Sequence, residues 1–216
     1  MPSIALLGAT GLVGRHTLDL LAGDPYFTRV VVLARRKFAE AMAPRVEAHI
    51  VEFERLHERP DLLGVDQVIC ALGTTIKAVG GSKEKFRAVD YGIPLAAARI
   101  AQQQGARHFL LVSALGASAE SRVFYSRVKG ELEDALRTLP FRSVTILRPS
   151  LLLGDRNEFR LGEEVAKRFA FLVPGKYRPI HARDVAAALV RSAKEDVPGL
   201  HILESDEIVT GYVSPP

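Results

Sequence analysis

The stretch FYSRVKGEL, residues 124–132, sets Tyr125 and Lys129 four positions apart. Four residues is about one helical turn, so in a helix the two side chains share a face. Twelve residues before the tyrosine, Ser113 stands at the end of the apolar run HFLLVSA. A phenol, an ammonium and a hydroxyl within reach of one another can pass a proton to or from an oxygen on a reacting carbon. A phenol of ordinary pKa near ~10 is a poor base at neutral pH, and lowering it by ~3 units takes about 4 kcal/mol. A neighbouring ammonium supplies part of this by favouring the phenolate. In such a trio Ser113 would hold the substrate oxygen. Tyr and Lys at this spacing also occur on many surface helices, so the pair acquires meaning only from its setting.

The setting is an alternation of strands and helices. Short apolar or β-branched runs, several closed by Gly or Pro, predict strands at 3–8, 29–35, 45–53, 66–72, 108–114 and 143–149, with a shorter one at 200–203. Helical periodicity predicts helices at 12–22, 82–104, 123–138, 160–171 and 183–195. This order implies an α/β fold: a doubly wound, Rossmann-type parallel sheet with helices on both faces. Only 67 residues follow Pro149, too few for a large second domain. The expectation is one domain over 1–216, with 149–216 as a pocket wall or lid.

In such a sheet the strand ends open into a ligand crevice, and the first strand leads into one. Gly8, Gly11 and Gly14 stand at G-x-x-G-x-x-G spacing in LLGATGLVG, between the first strand and first helix. A pyrophosphate needs close backbone approach and free N–H groups at a helix start. Gly8 allows the turn, Gly11 the approach and Gly14 close helix–strand packing; Thr10 and the amides of Leu12 and Val13 are further candidate donors. At the end of the second strand, where an NAD site carries Asp or Glu, stand Arg35 and Arg36. Guanidinium groups there suit a 2′-phosphate, each charge-assisted bond being worth roughly 1.5–3 kcal/mol. NADP(H) is therefore expected over NAD(H). ALGTT, ending the fourth strand, offers Leu72, Gly73 and Thr74 as further cofactor contacts.

The chain has 216 residues, 48% hydrophobic and 25% charged, with a net charge of +4. No long basic run or interleaved aromatics point to nucleic acid. The single cysteine, Cys70, lies in an apolar run and reads as a core residue. It excludes an internal disulfide and fits a reducing, cytoplasmic setting. The six histidines lack metal-ligand spacing. No apolar run reaches the ~18–20 residues of a membrane span, and no charged n-region opens the chain.

Taken in order, GATGLVG, ALGTT, LLVSALGA, YSRVK, LRPSLLLG and IHARDVA resemble the short-chain dehydrogenase/reductase superfamily in its atypical or extended branch. Within it they are most similar to the Tat-interacting-protein type of oxidoreductase and its bacterial relatives, over nearly the whole chain. The resemblance implies NADPH at the glycine loop, Arg35–Arg36, Leu72–Gly73, Tyr125 and Lys129, with Tyr125 as proton donor or acceptor. It implies that Pro149, Ser150, Leu151 and Leu152 border the nicotinamide. One departure is plain: many superfamily reductases carry a helix asparagine that anchors a relay water, and the only asparagine here is Asn157.

Further positions carry two readings each. Asp184 near the start of the last long helix favours its dipole, while His181 and Arg183 beside it are candidate substrate contacts. Arg156 is a candidate contact to cofactor or an anionic substrate. Three functions compete: an NADP(H)-dependent oxidoreductase acting on a small carbonyl or alcohol, an NADPH-binding regulator, and a nucleotide-sugar epimerase or dehydratase. The third suffers from the short C-terminal part. The chain is expected to be a monomer or homodimer.

Overall fold

The computed structural model describes residues 1–36, 43–153 and 177–210. In chain order the elements are β1 (Ser3–Leu7), α1 (Leu12–Gly23), β2 (Arg29–Ala34), β3 (Val46–Ile50), two 3-10 turns (Phe53–Glu58 and Pro60–Leu63), β4 (Gln67–Cys70) and α2 (Lys83–Arg87). A π-turn (Ala88–Gly92) joins α2 to α3 (Ile93–Gln103), followed by β5 (His108–Val112), α4 (Phe124–Arg137) and β6 (Ser143–Arg148). The last are β7 (Leu152–Leu153), β8 (Ile180–His181), α5 (Ala182–Glu195), β9 (Gly199–Glu204) and α6 (Ser205–Thr210).

Seven strands form one parallel sheet in the order β3-β2-β1-β4-β5-β6-β9. Because successive strand residues point to opposite faces, the buried strands fill two core layers. Ala5, Leu7, Val31, Leu33, Val68, Cys70, Phe109 and Leu111 face α3 and α4. Ile4, Leu6, Val30, Val32, Ile69 and Leu110 face α1 and α5. A strand covered on both sides reads as a continuous apolar run, which is why RVVVLA and HFLLV are legible in sequence. β3 lies at an edge, and none of its five residues is buried. The chain winds outward from β1 to β3, then crosses to β4 and winds the other way. The crevice at that reversal, between the ends of β1 and β4, is where such folds bind ligands.

Two expectations change, and a third lies outside the described residues. The helix predicted over 82–104 is interrupted: Pro94 has no N–H to give the Asp90 carbonyl, and Ile93 N–H instead reaches Ala88 O five residues back. The two-residue pair β7–β8 and the closing helix α6 were not expected. The expected helix at 160–171, with Arg156 and Asn157, lies outside the described residues.

The sheet end away from the crevice is tied by charge. Asp196 ends α5 in the left-handed region, at φ 44°. It receives Arg107 Nε at 2.9 Å and Arg142 at 3.1 Å, and Arg107 also reaches Asp66 at 3.1 Å. His108 is buried here, with Nε2 2.9 Å from Thr145 Oγ1 and Nδ1 3.1 Å from Asp196 Oδ1. Burial pushes the imidazole down from 6.5 to about 4, against the opposing pull of Asp196 and helped by His201 and Arg142. Asp196 already faces two guanidinium groups, so a third cation gains little there.

Unfolded, His108 takes its proton near 6.5; folded, near 4. Between these values the unfolded chain holds more protons, so stability is lost as pH falls. The loss from this one group is about 2.5 kcal/mol between pH 7.5 and 4.5. Urea unfolding across that range should show His108→Gln losing less stability on acidification than the parent; equal slopes would contradict the assignment.

Candidate functional site

The crevice begins where β1 ends. Gly8 turns the chain at φ 92°, a conformation L side chains rarely adopt, and a Cβ there would lie 2.6 Å from the Ala71 backbone. A Cβ on Gly14 would lie 2.0 Å from the Gly8 carbonyl oxygen, so the first turn of α1 packs against the turn itself. Gly11 N–H closes the turn onto Gly8 O at 2.9 Å. The N-terminus of α1 has no side-chain cap and no acidic residue in its first turn. Its unpaired N–H groups and the positive end of its dipole therefore suit an anion.

Two adjoining hollows flank this helix start, sharing Gly11, Ala71, Leu72 and Gly73. One, of about 100 Å³, is bordered by Gly8, Thr10, Arg35 and Phe53. The other, of about 180 Å³, is bordered by Leu12, Val13, Thr74, Asp90, Ser113, Tyr125, Lys129 and Leu152. A third hollow of about 220 Å³ lies between Ile50 and Arg59. Its arginines are already engaged, Arg55 with Glu58 at 2.8 Å and Arg59 with Asp61 at 2.9 Å, and nothing there resembles the glycine cradle.

Tyr125 and Lys129 sit on one face of α4, with the Tyr125 ring 5.5 Å from that of Phe86. Lys129 is buried and its Nζ lies 2.8 Å from Asp90 Oδ1, itself fully buried. Asp90 Oδ2 accepts the Thr74 N–H at 2.9 Å. One carboxylate thus joins the π-turn, the end of β4 and α4. Burial alone would push the Lys129 ammonium down; Asp90, with Tyr125, outweighs it and holds the lysine above its ordinary value. The helix comes this close because Gly130 has no side chain: a Cβ there would lie 2.1 Å from the Ser118 backbone.

Ser113 is buried at the end of β5, its N–H bonded to Leu147 O at 2.8 Å. Its hydroxyl donates to Glu133 Oε1 at 2.5 Å. Glu133 is buried on α4 and pairs with Arg148, whose Nη2 lies 2.5 Å from Oε2. The hydrogen bonds that Arg148 donates to Glu133 hold its guanidinium above its ordinary range.

Of the residues singled out in the sequence, the structure brings Thr10, Gly11, Leu12, Val13, Leu72, Gly73, Thr74, Ser113, Tyr125 and Lys129 to the crevice, with Arg35 at its smaller hollow. Arg36 is exposed and borders neither hollow. In the 149–152 segment only Leu152 borders the cavity. Pro149 O accepts Leu115 N–H at 2.9 Å, Ser150 N–H donates to Ser205 Oγ at 2.7 Å, and Leu151 is exposed. His181 and Arg183 are exposed beside the start of α5 and border neither hollow, while Asp184 occupies its first turn. Asp90, Glu133, Phe53 and Gly130 were not anticipated. Pro94 inside an otherwise helical pattern is the signal for the first; Glu133, four residues beyond Lys129 on the same helical face, carried its own.

The profile of a family described as NAD(P)H-binding matches residues 8–196. The chain belongs to that family. It resembles Protein HTATIP2 of Rattus norvegicus. The identity to HTATIP2 is 35%, covering 87% of this chain and 78% of the rat protein. It is also 35% identical to "Protein FMP52, mitochondrial" of Lodderomyces elongisporus, over 91% of this chain and 89% of the relative. Among solved structures, MoeE5 in complex with UDP-glucuronic acid and NAD superposes with a TM-score of 0.72 at 16% identity, covering 96% of this chain and 80% of that one. A UDP-N-acetylglucosamine 4-epimerase from Methanobrevibacter ruminantium superposes at 0.71 with 14% identity, over 94% and 76%. At such identities these likenesses show a shared fold. Among the described residues no helix is long and apolar enough to cross a membrane, and no cluster of three or more His, Cys, Asp or Glu is placed to hold a metal.

Asp90→Asn leaves the Lys129 ammonium buried without a counter-charge, and breaking a buried pair this way costs about 3–5 kcal/mol. Urea unfolding should show that loss, and Asp90→Asn combined with Lys129→Met should recover a substantial part. A loss below about 1 kcal/mol for the single variant would place the pair in solvent.

Proposed function

We propose that the family member is an NADP(H)-dependent oxidoreductase that moves hydride between nicotinamide and a small carbonyl or alcohol. The observation that supports this most directly is a shared cavity: Ser113, Tyr125 and Lys129 border the same hollow as the first turn of α1. The residues present fit a dinucleotide. Gly8 and Gly14 leave backbone where a Cβ would intrude, and the uncapped start of α1 suits the pyrophosphate. Arg35, beside the second hollow, suits a 2′-phosphate, with Arg36 next to it in sequence. When bound, the cofactor supplies or accepts the hydride. Tyr125 then gives the substrate oxygen its proton in reduction, or takes it in oxidation. Lys129 lies one helical turn from Tyr125 on the same face, and Leu152 walls the cavity. The single cysteine, buried and pushed up to about 11 by desolvation, suits a reducing compartment, and the cytoplasm is the proposed one.

One observation favours a second reading, an NADPH-binding regulator with little turnover. The Asp90 carboxylate, 2.8 Å from Lys129, opposes the field that the ammonium projects onto the phenol. The epimerase reading draws only on fold likeness.

Calorimetry should show NADPH binding more tightly than NADH. Replacing Arg35 and Arg36 together by Ala should lower that preference at least tenfold. Against a panel of aldehydes, ketones and quinones, Tyr125→Phe should cut turnover about 10²–10⁴-fold while leaving NADPH affinity within a few-fold. Tight NADPH binding with no turnover on any of them would select the regulator.

A further inference from the structure

The Ser113 hydroxyl has one proton, and a buried carboxylate holds it. Ser113 Oγ donates to Glu133 Oε1 at 2.5 Å. Glu133 cannot return a proton, because Arg148 pairs with it from the other side: Nε lies 3.1 Å from each carboxylate oxygen and Nη2 2.5 Å from Oε2. With the guanidinium on its far side, the carboxylate accepts from both neighbours. Ser113 and Glu133 are 5% and 1% exposed, so water does not compete for the bond. What remains of Ser113 toward the cavity it borders is lone pairs. A hydroxyl so committed repels a carbonyl oxygen and welcomes a donor.

We propose that Glu133, oriented by Arg148, is a positioning residue that fixes Ser113 as a hydrogen-bond acceptor toward the cavity, so that the site selects substrates carrying a hydroxyl donor beside the reacting carbonyl. This rests on the oxidoreductase reading above and names its substrate class: hydroxy-carbonyl compounds and the diols they become. In reduction, Tyr125 gives its proton to the carbonyl oxygen as the carbon takes hydride from the reduced nicotinamide and the C=O π bond opens. Ser113 exchanges no proton in that step; it accepts a hydrogen bond from the neighbouring hydroxyl. Tyr125 is then the one side chain of the trio that donates to the reacting oxygen.

The test has a spectroscopic arm and a kinetic arm. A short, buried serine–carboxylate bond gives a hydroxyl proton that exchanges slowly and resonates downfield in the ¹H NMR spectrum of the NADP⁺-loaded protein. That resonance should be present in the parent and absent from both Ser113→Ala and Glu133→Gln; its absence from the parent overturns the proposal. In the kinetic arm, hydroxyacetone and acetone are reduced with NADPH. The parent should favour hydroxyacetone about fivefold or more in kcat/KM, the worth of one neutral hydrogen bond. Ser113→Ala should erase that preference. In Glu133→Gln the amide N–H₂ turned toward Ser113 frees the serine proton, and the preference should fall or reverse. If Ser113→Ala instead lowers acetone and hydroxyacetone alike by a hundredfold, the serine donates to the reacting oxygen and the proposal fails. If the parent reduces neither probe nor any of the aldehydes, ketones and quinones of the panel yet shows the resonance, the oxidoreductase reading falls and the serine's polarity stands.

Discussion

An ammonium buried beside a phenol stays charged only while a carboxylate stays with it, and in this chain that carboxylate is Asp90. Its position is a consequence of helix geometry. Pro94 cannot continue the hydrogen-bond ladder, so the helix widens into a π-turn, in which Asp90 faces inward and is fully buried. With Oδ1 on Lys129 and Oδ2 on the Thr74 amide, Asp90 joins the α2–α3 unit to the loop after β4 and to α4. The crevice wall bearing Tyr125 is therefore set by an ion pair as much as by apolar packing. A regular helix across Ala88–Gly92 would direct Asp90 differently and leave Lys129 without a partner.

A second pair, Glu133 with Arg148, stands on the same face of α4 one turn beyond Lys129. Each pair is close to neutral as a unit, so the inner end of the cavity carries little net charge. The outer end differs: the uncapped start of α1 and Arg35 are positive without a carboxylate at the helix start. A dinucleotide entering such a crevice is drawn pyrophosphate-first toward the helix start, leaving its less charged end for the paired interior. The polarity of the cleft arises from which cations are matched by carboxylates and which are not.

Much of this was legible in the sequence where local pattern and tertiary role coincide. The buried strands read as apolar runs because both faces are covered, and Gly8, Gly11 and Gly14 read as a cradle because turn, strand end and helix start are contiguous. Tyr125 and Lys129 read as a pair because α4 is regular. What escaped depends on contacts distant in sequence. Asp90 sits in an unremarkable AVDYG stretch, and its meaning comes from Lys129, 39 residues away. Glu133 looks like any charged residue on a helix until Arg148 and Ser113 close over it. Pro149 to Leu151 fit the expected motif, but their backbone groups and the Ser150 hydroxyl are taken up by Leu115, Ser205 and the Arg178 carbonyl, which local pattern does not reveal.

The same comparison explains why the serine is the most informative of the three candidate reacting residues. A Ser–Tyr–Lys trio states which atoms are present, but a hydroxyl can donate or accept, and its neighbours decide which. Here the decision lies behind the cavity, in a carboxylate that is itself fixed by a guanidinium. Moving the Ser113 proton back toward the cavity would leave Glu133 short of one bond in a site closed to water, at a cost of about 1–3 kcal/mol. Any hydrogen bond that Ser113 donates to a carbonyl must first offset that cost, whereas one it accepts from a hydroxyl need not. The difference comes from the side chains behind Ser113, and a substrate would meet it before any bond is made or broken.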